Sequence, residues 1–146
     1  MKKKATFAYL FFGLFVLGTV TSCQKETSEN VNPSIFGKWK VIRATAKLQL
    51  LSYSDSTSYQ GTPNDHFTFT TDHKWHSHFQ NDDESSTFTL SGDIITLTNR
   101  DEFPNKLQIK LLTTDQLTLY SKEKIDNFPF PQCYQEMTVH LEKINQ

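Results

Sequence analysis

From Phe36 onward the apolar residues of this chain tend to fall on every second position. His66-Phe67-Thr68-Phe69-Thr70 alternates, and so does Lys74-Trp75-His76-Ser77-His78-Phe79. The same period marks Thr87–Leu90, Ile94–Thr98, Leu107–Leu111, Gln116–Tyr120 and Met137–Leu141. A longer first segment runs from about Lys38 to about Leu51. Successive side chains of a strand point to opposite faces, so each segment carries one apolar face. No stretch keeps a 3.6-residue period for three turns, so no helix is expected to cover those faces. Eight strands, A to H in chain order, are predicted.

The turns give an independent test of the faces. Ser91-Gly92-Asp93-Ile94 fits a two-residue hairpin with Gly at its first central position, as a type II′ turn requires. That register sets Leu90 opposite Ile95 and Phe88 opposite Leu97, the pairs that the alternation also demands. Between B and C, Thr71, Asp72 and His73 set Phe69 opposite Trp75 and Phe67 opposite Ser77; Asp and His both tolerate positive φ. Between F and G, Leu111 is expected opposite Leu117.

Strand A is less regular. Trp39 and Val41 share one face, whereas Ile42, Ala44, Ala46, Leu48 and Leu50 share the other. A bulge near Val41–Arg43 brings both sets inward. The alternative turns Arg43 into the interior as a buried charge, where it would contact a ligand. Eight antiparallel strands with one apolar face each bury those faces by closing on themselves, which also removes the edges. The expected fold is all-β, an eight-stranded antiparallel up-and-down barrel, with an interior just wide enough for side chains or one small ligand.

Composition narrows the function classes. With 146 residues and 36% of them hydrophobic, the chain supports one domain. Aromatics at 13% exclude a disordered chain. Lys plus Arg is 15 against 16 for Asp plus Glu, which lacks the basic excess of a nucleic-acid binder. No Gly-x-Ser-x-Gly elbow, phosphate-cradling loop or motif-pinned carboxylate pair occurs, so binding rather than catalysis is expected, with no cofactor; the alternative is an enzyme on this scaffold whose catalytic groups converge only in space.

Residues 1–22 read as an address. Lys2, Lys3 and Lys4 precede an uncharged apolar run from Ala5 to Val20, and Val20-Thr21-Ser22-Cys23 follows. A basic region, an apolar region and small residues at a cleavage point make a secretory signal. Val-Thr-Ser-Cys resembles the lipobox of bacterial lipoproteins, which implies that Cys23 receives the lipid and becomes the first mature residue. The alternative is an uncleaved N-terminal anchor. Loss of three lysines leaves 12 basic and 16 acidic residues, a net charge of −4. Residues 23–34 are polar and read as the lipidated Cys and its tether. The domain is expected over 35–146, held at the outer membrane of a Gram-negative bacterium and facing the periplasm or the cell surface. Cys133, the remaining thiol, has no neighbouring cation and reads as inert.

Phe36-Gly37-Lys38-Trp39 at the start of strand A resembles the Gly-x-Trp motif of lipocalins. The order Gly-x-Trp, a Phe-rich strand, a turn before an aromatic strand, and Ser-Gly-Asp-x-Ile-x-Leu is similar to bacterial lipocalin-like domains. The likeness covers about Ile35 to Ile144. It implies that Gly37 and Trp39 close one end of the barrel. Gln116 follows Thr114-Asp115 where lipocalins carry a Tyr, and too few residues follow Ile144 for their C-terminal helix.

Up-and-down topology puts the short B–C, D–E and F–G turns at the Trp39 end. The A–B, C–D, E–F and G–H loops fall at the other end, expected over Ser54–Asp65, Asn81–Ser85, Asn99–Asn105 and Lys122–Gln132. Loops held on a rigid scaffold are where binding concentrates, so this end is the candidate site. Tyr59, Phe103, Phe128 and Phe130 would form an aromatic portal, with an acidic rim from Asp82, Asp83, Glu84, Asp101, Glu102 and Asp126. The ligand expected there is small and apolar or amphipathic. In the alternative the aromatics cap a solid barrel that contacts a protein or glycan at the envelope. His66 faces His78 with His76 two residues along the same outward face, close enough together for one transition metal; no established metal-ligand spacing matches them, so exposed strand residues without a role are expected, with a metal site as the alternative.

Overall fold

The computed structural model describes residues 32–51, 53–98, 104–125 and 133–144. They form nine strands: β1 Gly37–Leu50, β2 Tyr53–Gln60, β3 His66–Phe69, β4 Lys74–Phe79, β5 Asp82–Ser91, β6 Ile94–Leu97, β7 Lys106–Leu112, β8 Gln116–Lys124 and β9 Cys133–Lys143. All pairings are antiparallel between neighbours in the chain, except that β1 pairs with β2, β3 and β9. The β1–β9 ladder closes the sheet. There are eight staves, because β2 and β3 lie end to end along β1 and act as one interrupted strand. The eight-stranded antiparallel up-and-down barrel expected from the alternation is what forms, with no helix among the described residues.

The local registers follow from the turns. Phe88 faces Leu97 and Leu90 faces Ile95. Gly92 has φ +60°, the conformation that a type II′ turn requires at that position. Phe69 faces Trp75 and Phe67 faces Ser77, with His73 at φ 61° in the turn. Leu111 differs from expectation. A bulge between Ile109 and Leu111 moves the register by one, so Leu111 faces Thr118 and is exposed, while Leu112 faces Leu117.

β1 is bulged between Val41 and Arg43, which places Trp39, Val41 and Ala44 all in the core. The bulge turns Arg43 outward into solvent. Arg43 is therefore no inward contact for a ligand: the extra residue takes up the change of face, and the charge keeps its hydration. The partner stave is irregular at the same level. Gly61 N–H donates to Ile42 O at 3.0 Å and Val41 N–H to Asp65 O at 2.9 Å. A Cβ on Gly61 would lie 2.0 Å from Val41 O, so only glycine fits where the two bent strands meet.

Two expected loops are strands. Most of Ser54–Asp65 is β2, and of Asn81–Ser85 only Asn81 is in the two-residue Gln80–Asn81 turn, the rest being the start of β5. Gln80 and Asn81 both have positive φ, 55° and 70°, as in a type I′ hairpin. The long connections left at that end, 99–103 and 126–132, lie outside the described residues.

The core fills the Trp39 end. Trp39, Trp75, Phe67, Phe69, Phe88, Ile95 and Leu107 are fully or almost fully buried. Phe69 meets Phe88 edge-on at 5.4 Å, and Phe67 meets Trp75 edge-on at 5.6 Å, the geometry that aromatic quadrupoles favour. Trp39 Nε1 donates to Ile35 O at 2.7 Å. Lys143 Nζ stands 4.2 Å from the centre of the Trp39 ring and donates to Phe36 O. Burial pushes the Lys143 ammonium below its usual range. Gly37, at φ +122°, leaves room for that lysine; a Cβ there would lie 2.7 Å from Nζ. This end is closed.

Candidate functional site

At the other end, four neighbouring strands stack their inward side chains in layers. β2, β1, β9 and β8 contribute Tyr59, Ala44, Val139 and Leu119 to the lowest layer. Thr57, Ala46, Met137 and Ser121 form the next, and Asp55, Leu48, Gln135 and Glu123 the one above. The layers turn from apolar to polar towards the mouth. The whole middle layer, Tyr59 and Ala44 below it, and Gln135 and Glu123 above it border an open cavity of about 420 Å³, together with Phe79 and Gln80 from the β4–β5 turn and Pro104. That volume lies within the range of small-ligand sites. The alanines of β1 create the space, because larger side chains at Ala44 and Ala46 would occupy it. Among the described lining residues Glu123 is the only ionisable side chain besides the Tyr59 phenol, and none is basic.

Tyr59 is held in the wall by a buried carboxylate. Its hydroxyl donates to Asp65 Oδ2 at 2.7 Å, and its ring meets Phe79 edge-on at 5.3 Å. Asp65 also accepts from the Thr62 N–H and hydroxyl, both at 2.6 Å, and from the Gln80 N–H at 2.9 Å. Only 2% of Asp65 is exposed. Desolvation pushes its carboxyl up, but the bonds from Thr62, Tyr59 and Gln80 outweigh that and hold it at about 2. The same bond pushes the Tyr59 phenol above its usual range. Asp65 thus ties the elbow between β2 and β3 to the β4–β5 turn and to the cavity wall.

The sequence-predicted site residues fall in three groups. Tyr59 lines the cavity. Arg43 is on the outer surface. Cys23, Phe103, Phe128 and Phe130 lie outside the described residues, as do Asp101, Glu102 and Asp126. Of the remaining rim acids, Asp82 and Asp83 are exposed, and Asp83 accepts from His78 Nδ1 at 2.7 Å. Glu84, opposite Ser77, is partly buried on the inward face. Sequence reasoning did not place Ala46, Thr57, Ser121, Gln135 and Met137 in the site. Each alternates in phase with a recognised inward residue of its own strand: Ala46 with Ala44, Thr57 with Tyr59, Ser121 with Leu119, and Gln135 and Met137 with Val139. Phase rather than hydrophobicity would have found them.

A closed antiparallel barrel filled at one end and hollow at the other is the architecture of a small-molecule-binding barrel. The model of the lipocalin-like domain matches residues 35–119, and the chain belongs to that family. Among solved structures, a protein of unknown function of the DUF3598 family from Nostoc punctiforme is similar, at 14% identity and a TM-score of 0.46. The match covers 75% of this chain and 48% of that one, so this chain aligns to about half the length of its neighbour. No curated protein matches.

Proposed function

We propose that this protein is a lipid-anchored envelope lipoprotein whose barrel binds one small amphipathic molecule at the open end. The observation that carries the reading is the cavity of about 420 Å³ bounded by β1, β2, β8 and β9. Its lining grades from Ala44, Ala46, Phe79 and Met137 to Gln135 and Glu123, which suits an apolar body with a polar head. The lining carboxylate and the lack of a base among the described lining residues favour a neutral or cationic head over a carboxylate. The void also speaks against a barrel packed solid from end to end. Anchoring rests on the lipobox-like Val20-Thr21-Ser22-Cys23, and the outer membrane is the proposed location.

Titration with the neutral fluorophore phenylnaphthylamine tests the site. Saturable binding in the micromolar range is expected. Ala46→Phe fills the cavity from one wall and should weaken binding at least about tenfold, since a probe of that size loses its apolar floor. A urea melt of the same variant separates lost binding from lost folding. Absence of saturable binding, or equal binding by the folded variant, would sink the assignment.

A further inference from the structure

We propose that His66 and His78, on the outer face of β3 and β4, form a two-imidazole binding site for a divalent late-transition-metal ion, with Cu²⁺ its strongest ligand. The two residues are direct cross-strand partners. Their rings stack nearly parallel, at 21° and 5.9 Å between centroids. Each ring has its Nδ1 tied to a group that can only accept. His66 Nδ1 lies 2.6 Å from Asn64 O, and His78 Nδ1 lies 2.7 Å from the Asp83 carboxylate. Both Nδ1 atoms therefore carry the proton in the neutral rings, which leaves each Nε2 with its lone pair free to bind. A carbonyl or carboxylate behind the ring is the arrangement that orients metal-binding histidines and raises their basicity.

Both side chains are partly exposed, so water can complete the coordination. Two metal–nitrogen bonds of about 2.0 Å at right angles need the two Nε2 atoms about 3 Å apart, so the stacked rings turn towards one another when the ion binds. Imidazole suits copper, nickel and zinc, and affinity among them peaks at copper. His76 stands apart. It faces Thr68, and its Nδ1 meets the Ser85 hydroxyl, which can donate or accept and so fixes no tautomer. Among the described residues no group of three or more His, Cys, Asp or Glu converges on one point, so these residues supply two ligands only.

The test is a Cu²⁺ titration of the purified full chain, followed by electron paramagnetic resonance. One ion per chain with two equatorial nitrogens is expected. His66→Asn and His78→Asn should each weaken binding at least about tenfold and remove the two-nitrogen pattern. His76→Asn should change affinity by less than about twofold, because that ring is not a ligand. Asp83→Asn should keep the spectrum while weakening binding about tenfold, as befits a residue that positions a ligand. Thermal melts establish that each variant is folded. A two-nitrogen signal surviving in the His66→Asn/His78→Asn double variant would overturn the proposal. So would the absence of binding at millimolar Cu²⁺, or a larger loss from His76→Asn than from the other two.

Discussion

Burial of Asp65 removes a charge from water, and four hydrogen bonds from Tyr59, Thr62 and Gln80 stand in for the lost hydration. The consequence is a definite pH dependence. The carboxyl is lowered from 3.8 to about 2, so its contribution is present above the unfolded value and is lost as pH falls through the folded one. The difference corresponds to about 2 kcal/mol at neutral pH. Asp65→Asn should lower stability by about that amount at pH 6. The gap between variant and wild type should roughly halve near pH 3 and nearly vanish near pH 2. Urea melts of both proteins at these three pH values check it; a gap independent of pH would mean that Asp65 acts through shape alone. Because Tyr59 hangs on the same carboxylate, the variant also loosens one wall of the cavity.

Among the elements, the second stave carries the sharpest steric demand. Gly61 sits where this stave crosses the bulge of β1, and a Cβ there would lie 2.0 Å from a backbone oxygen that cannot swing away. Gly92 has open space around its missing side chain and needs only its positive φ. Gly92→Ala should therefore cost about 1 kcal/mol. Gly61→Ala should cost about 3 kcal/mol, the upper end of overpacking, because strands must separate to admit the methyl group. Chemical denaturation of the two variants side by side measures the contrast. Equal losses would show that the β1 crossing relaxes freely. The same crossing explains why β2 differs from the other strands: it pairs with β1 beyond the bulge, and most of its residues remain exposed.

For the molecule as a whole, the arrangement is a barrel with one closed end and one hollow end, behind an N-terminal segment that reads as a lipid address. The Trp39 end is sealed by Ile35, Trp39 and Lys143. If Cys23 carries the lipid, Cys23→Ser should abolish incorporation of labelled fatty acid in cells and leave an unprocessed precursor. Metabolic labelling followed by gel mobility reads both effects. Continued labelling of the variant would remove the lipoprotein assignment and leave the barrel's own properties untouched.

The sequence alone determined the closed half of the barrel. Phe67, Phe69, Trp75, Phe88, Ile95 and Leu97 point inward into a dry core, so hydrophobic alternation marks them, and the short turns between their strands fix the register. The same signal failed at the open end. β2, the first half of β5 and the ends of β8 and β9 place Thr57, Glu84, Ser121, Glu123 and Gln135 on the inward face, and a polar interior erases the contrast between faces. Strands there read as loops for that reason. Only the tertiary structure decided where the β1 bulge turns Arg43, because the outcome depends on Gly61 and Asp65 meeting it from the neighbouring stave. Only closure of β1 on β9 could set the alanines of one against Val139 and Met137 of the other. The cavity exists through contacts between residues far apart in the chain, Ala44 with Val139 and Ala46 with Met137, which no local pattern records.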